Sequence, residues 1–240
     1  NTIDLGVLPF IQDWFATDPA IGDKVAVLGV PDLWYGAGLN PVPEFLFFGG
    51  WRDLDSIRPA ELLPAYLAFW DEADRLLPRV TAPEAKRDTV ERYRGYLRRH
   101  IGFLGNNLAV LFEELGANEE AYTAYVRLRR FDPDNISVLF NQFEMIRRGN
   151  HPEDRDAVEQ EMNDYVANLK HRYSLWSLSR YFGYVRSPEL FARLGWSWAM
   201  SGQMGAGLAG IRRAMDLLKE ADRDALLATM ASMYAMGDDR

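Results

Sequence analysis

The residues best placed to hold a small ligand lie near the start of the chain. A short β-branched run, Lys24 to Val30, leads into Pro31 and Asp32, with Trp34 and Tyr35 next and Trp51 further on. A carboxylate at a strand end beside aromatic walls suits a sugar or a peptide. The carboxylate accepts hydrogen bonds, and the rings offer apolar faces with a polar edge. A plainer reading stands beside it, in which Asp32 caps a turn and the aromatics fill a core.

Other constellations carry less. Gly205, Gly207 and Gly210 have the spacing of a dinucleotide-binding glycine fingerprint. That pattern has meaning only between a strand and a helix. Here Leu194 to Met200 reads as helix, so the three glycines are expected where two helices pack closely. His100, His151 and His171 are far apart, and none has a second histidine at helical spacing. Asp154 follows His151, but two ligands make no zinc site, and no metal or cofactor is expected. No serine occupies a nucleophile elbow and no phosphate-binding loop is present. Acid pairs such as Asp156 with Glu159, or Glu161 with Asp164, read as solvated helix surface. These residues favour a binding protein over an enzyme.

The 240 residues are 48% apolar and 26% charged, with a net charge of −8 and no cysteine. This is globular composition. It excludes disulfides, thiolate metal sites and cysteine nucleophiles. The densest basic cluster, Arg92, Arg94, Arg98 and Arg99, is interleaved with Asp88 and Glu91. It reads as a solvated helix face, so nucleic acid is not an expected partner. No run approaches the roughly 18 apolar residues of a membrane span. The chain opens at Asn1 and not at Met, as expected for a piece of a longer protein, with a signal or a span upstream left open.

These residues must be positioned by elements of two kinds. Residues 1–58 are expected to form a small α/β or irregular segment. It would hold an amphipathic helix over Leu8 to Phe15, a buried strand over Lys24 to Val30 and a second strand around Phe45 to Phe48. Pro41 and Pro43 forbid a helix between them. Residues 59–240 are expected to be helical, making the fold mainly α. A helix from Glu61 to Leu77 has Pro64 in its first turn. Another opens at Thr81 to Glu84 and runs to about His100, or continues with a bend at Gly102 or Gly105. Further helices are expected from Glu153 to about Tyr173, over Ser174 to Val185, and over Asp222 to Met236.

A repeat organises the helical part. In Gly102 to Asn135, Leu108, Ala109 and Phe112 form the inner stripe of a first helix and Gly116 marks the turn. Ala121 lets a second helix approach, Tyr125 and Leu128 fill the groove, and Pro133 ends the unit. This pattern resembles a tetratricopeptide repeat. A weaker unit spans 136–187 with an insertion. It has Leu139, Phe140, Phe143 and Ile146 as its stripe and Gly149 to Pro152 as its turn. A third spans 188–221, where Ser187 and Pro188 open a helix. There Leu194, Gly195 and Trp198 match the first helix, Gly202 the turn, and Gly207, Ile211 and Ala214 the second helix. The last helix, within 222–236, would cap the array.

The resemblance implies a helical-hairpin solenoid that binds a protein or an extended peptide along the first helix of each unit. Transferred by position, the lining is Phe103, Asn106, Val110, Glu113 and Glu114, then Phe140, Glu144, Arg147 and Arg148, then Ala192, Trp196 and Met200. Trp196 and Phe140 stand out as anchors. The family's clamp for C-terminal carboxylates uses a lysine and an asparagine in its first unit, and Asn106 and Val110 depart from it. The layout of short helix, strand and repeats is also similar to the soluble tails of certain bacterial multi-span membrane proteins. That likeness implies an extracytoplasmic, periplasmic location.

Overall fold

In a computed structural model we describe residues 14, 17–18, 20, 25–28, 31, 34–35, 38–80, 86–168 and 175–238. Among them are nine α-helices and a three-stranded sheet. The fold is therefore mainly α with a small sheet near the N-terminus. No helix among the described residues is long and apolar enough to cross a membrane. The residues group into two compact units: 1–42, 47–56 and 186–240 form one, and 43–46 with 57–185 the other.

The first unit contains the sheet, apart from the last two residues of its second strand, and the last three helices. Strand β1 (Ala26–Val27) pairs antiparallel with β3 (Phe47–Trp51), and β2 (Asn40–Glu44) flanks β3 on its other side. Pro41 and Pro43 are tolerated because β2 is an edge strand, where missing N–H donors disrupt no ladder. Two expectations are corrected here. The run after Lys24 gives only a two-residue edge strand that is not buried. The strand expected around Phe45 to Phe48 is found as β3 but begins only at Phe47, since Phe45 and Leu46 form the turn between β2 and β3. The Leu8 to Phe15 helix lies largely outside the described residues.

Helices α7 (Pro188–Met200) and α8 (Met204–Asp216) form a close hairpin, and α9 (Asp224–Asp238) packs on α8. Small residues set the closeness. A Cβ added at Gly195 would sit 2.7 Å from the Gly207 carbonyl oxygen, and one at Gly210 2.8 Å from the Gly195 Cα. The two backbones therefore touch. Gly207 and Gly210 lie inside α8, which follows a helix, so the fingerprint spacing serves packing. Ser187 opens α7, but its side chain makes no capping hydrogen bond.

In the second unit, α1 (Pro59–Leu76), α2 (Arg87–Glu114), α3 (Asn118–Phe131), α4 (Ile136–Arg147), α5 (Arg155–Ala167) and α6 (Leu175–Tyr181) follow in order. Pairs α2–α3, α3–α4 and α4–α5 pack, and α1 lies on α3. Pro64 falls inside α1 because that helix starts two residues earlier than expected, at Pro59. Helix α2 runs unbroken for 28 residues through Gly102 and Gly105. There Asp132, Leu128 and Trp70 press against the helix where a Cβ would stand. Its predicted start at Thr81 to Glu84 lies outside the described residues. The hairpin tip belongs to this unit too: Leu46 accepts a 2.9 Å hydrogen bond at its carbonyl from His100 Nε2, and Tyr66 donates to the Pro43 carbonyl at 2.6 Å. Phe45 takes a left-handed φ of 55°, costly for a side chain with a Cβ. Its ring stacks on Tyr66 at 4.5 Å, which offsets that cost.

One turn recurs three times. After α2, α4 and α7, Gly116, Gly149 and Gly202 take positive φ. Each glycine N–H returns to the carbonyl three residues back, and the next residue's N–H to the carbonyl five back, as in Ala117 to Phe112, Asn150 to Met145 and Gln203 to Trp198. This is the Schellman closure, which satisfies orphan carbonyls and needs a residue without a left-handed penalty. Ala109 and Ala121 are fully buried, and Gly195 and Gly207 are buried too.

The α7–α8 seam yields a contrast. Gly195→Val should lower unfolding free energy by about 1–3 kcal/mol through overpacking, read as a lower urea midpoint. Gly205→Ala, at an exposed helical position of α8, should cause no loss, because alanine is the better helix former by about 1 kcal/mol.

Candidate functional site

Among the described residues of the second unit eight polar or charged side chains are buried, and four of them converge on one stretch of backbone. A helix from Ser174 to Val185 was expected, but α6 ends at Tyr181 and the chain continues as irregular backbone. Gly183, at φ +91°, makes the exit. A Cβ there would lie 2.5 Å from Asn106 Nδ2 and 2.9 Å from Asn107 Oδ1, so only glycine fits by both conformation and space.

The segment lies in a cradle of asparagines. Asn106 Nδ2 and Asn141 Nδ2 each donate to the Tyr184 carbonyl at 2.8 Å, and Asn141 Nδ2 also approaches Asn106 Oδ1 at 3.0 Å. The Tyr184 N–H donates to Asn107 Oδ1 at 2.9 Å, and Ser137 Oγ donates to the Gly183 carbonyl at 2.9 Å. Helical geometry explains the set. Ser137 and Asn141 are four residues apart on α4 and share a face. Asn106 and Asn107 are adjacent on α2 and reach the Tyr184 carbonyl and N–H respectively. Phe182 packs with Ile136 and Leu178, and Phe140 and Tyr165 cover that cluster. A buried backbone group without a partner costs about 1–3 kcal/mol, and here Tyr184 has both of its groups satisfied.

A second buried junction adjoins the cradle along α2. Glu113 accepts from Tyr125 Oη at 2.7 Å and from Arg148 Nη2 at 2.5 Å, so α2, α3 and the end of α4 meet on one carboxylate. At the α3–α4 connection Asp132 is buried against Gly102. Burial pushes its carboxyl up to about 6, with Asp134 adding to the rise and Arg99, Arg98 and Arg129 opposing it. His151 stacks on Tyr122 at 3.8 Å between Glu119 and Glu153, each 3.2 Å from one ring nitrogen. Burial and the hydrogen bond to Asp154 push the Tyr122 hydroxyl up to about 12. Among the described residues no three side chains of His, Cys, Asp or Glu are grouped to hold a metal ion.

The residues singled out from sequence fall as follows. Asn106, Val110 and Glu113 are buried and face the interior of the second unit. Phe140 is half-buried under α6, and Glu144 and Arg147 form a 2.8 Å ion pair at the surface. Trp196 is 43% exposed on α7, in the other unit. Of the N-terminal group, Asp32 lies outside the described residues. Trp34 is fully buried, donates its indole N–H to the Phe48 carbonyl at 2.9 Å, and covers Gly50 so closely that a Cβ there would clash. It is a core residue and no exposed wall. Tyr35 is half-buried with Arg213 Nη1 3.4 Å from its hydroxyl, and Trp51 is half-buried. Asn107, Ser137 and Asn141 were missed. Their signal was polar residues on otherwise apolar helical stripes. Compared with known proteins, the chain matches no family model, no curated protein and no solved structure.

Two outcomes follow from this geometry. Asn141→Leu should cost about 1–3 kcal/mol, with faster hydrogen exchange at the Tyr184 amide and no change at the α3 amides. Asp132 holds its proton more tightly folded than unfolded. Its contribution is therefore most favourable below about pH 4 and falls as pH rises to about 6, by on the order of 3 kcal/mol. Asp132→Asn should remove that slope between pH 4 and 6 and raise the denaturation midpoint at pH 7.

Proposed function

We propose that this chain is a non-catalytic scaffold that binds an extended peptide or protein segment, built from tetratricopeptide-like hairpins. One observation carries the reading: the backbone of Tyr184 is held in the second unit by three asparagine amides, through N–H and C=O. Groups that hold backbone suit a peptide scaffold, because main-chain hydrogen bonds supply affinity while adjacent pockets choose the side chains. The recurrent glycine closures and the buried Ala109 and Ala121 accord with stacked hairpins. The exposed Trp196 supplies the large contact area that anchors bound segments.

Selection of displayed random peptides on the folded chain tests this. Binders are expected, and at least some should weaken about tenfold, or about 1.4 kcal/mol, on Trp196→Ala or Arg147→Ala. Saturable quenching of tryptophan fluorescence by sugars, with no peptide selected, would overturn the proposal.

A further inference from the structure

The cradle on α2 and α4 is filled by the chain itself. Phe182, Tyr184 and Val185 are buried, and the segment enters through a glycine that no other residue can replace. Its attachment is that of a bound peptide: side-chain amides and a hydroxyl hold backbone groups, and an aromatic side chain fills an adjacent apolar cluster. The fit has one gap. Asn107 is nine-tenths buried, and its Oδ1 is committed to the Tyr184 N–H, so its Nδ2 is fixed as the remaining donor. That donor has no hydrogen-bond partner among the described residues. A buried amide donor left over is costly, and it marks a place where a better occupant adds an acceptor.

We infer that Phe182–Val185 is a built-in plug of a peptide site, and that the site takes in trans an extended peptide with an aromatic–glycine–aromatic–aliphatic core. This deepens the scaffold reading and rests on it. The occupant's chemistry is set by the cradle. Asn106 and Asn107 leave room only for glycine at the second position. Asn106, Asn107 and Asn141 read the backbone of the third residue. The Ile136–Leu178 cluster with Phe140 takes the aromatic at the first. Because the plug is tethered, it competes at high effective concentration, commonly about millimolar for short tethers. A free peptide therefore sees only the fraction of chains whose plug is out.

The test uses a fluorescein-labelled peptide copying Ser179–Arg186 and follows its anisotropy with the full chain. Gly183→Val should expel the plug, and Tyr184→Pro should remove the N–H that Asn107 accepts. Either variant should bind the peptide at least about tenfold more tightly than the unsubstituted chain. Adding Asn141→Leu to Gly183→Val should abolish that gain. A Gly183→Val chain that keeps its helical circular dichroism yet does not bind the peptide overturns the inference. Collapse of both variants overturns it equally, since the segment would then be an indispensable part of the core. Library-selected peptides that still bind Gly183→Val while the copy peptide does not would leave the scaffold reading standing and remove only the plug.

Discussion

A non-helical backbone laid between helices carries its N–H and C=O groups where solvent does not reach, and each must find a partner inside. That requirement organises the second unit. Helices satisfy their own backbone. Where α6 stops, the obligation passes to side chains, and Asn106, Asn107, Asn141 and Ser137 meet it. The asparagines in turn fix how α2 and α4 face each other, since both must reach the same carbonyl of Tyr184. Glu113 adds a second polar tie, to Tyr125 on α3 and Arg148 after α4. Polar groups committed this way favour one arrangement, because a packing that breaks the set leaves buried groups unpaired.

The first unit solves its packing with different chemistry. In α7 and α8 specificity comes from the absence of side chains. Glycines at 195, 207 and 210 bring backbone to backbone, and Ala199, Ala206 and Ala214 line the same seam. In the sheet, Gly50 makes room for the Trp34 ring, and the indole donates to the strand it covers. Both cases replace side-chain bulk by direct backbone contact, so the tolerance for added atoms is low.

What the sequence disclosed was local. Gly116, Gly149 and Gly202 were legible as turns because a left-handed closure needs glycine after an apolar stripe, and the stripes around them have helical period. The close α7–α8 approach was legible for a similar reason, through small residues at 195 and 207. The asparagine cradle was not legible. A polar residue on an apolar stripe reads as groove-facing whether its ligand comes from outside or from the same chain. The carbonyl that Asn106 serves is 78 residues away in sequence. Apolar periodicity carried the α6 prediction past Tyr181, although Gly183 was the sign that the helix ends. At the N-terminal end, Trp34 looked like a ligand wall because aromatic richness does not say which ring is inside.

The unbroken course of α2 has a mechanical meaning. Twenty-eight residues at 1.5 Å each make a rod of about 42 Å, while α3 has only 14 residues to brace it. One point along the rod, His100, bonds the Leu46 carbonyl at the hairpin's tip, and nearly two turns further on stand Asn106 and Asn107. Because the span between those two anchor points is unbroken helix, its rise per residue fixes how far the Leu46 contact stands from the asparagines. Asp132, Leu128 and Trp70 press on the glycine-bearing stretch between them, so the neighbouring helices and the α3–α4 connection grip the rod most closely where it carries least side-chain bulk.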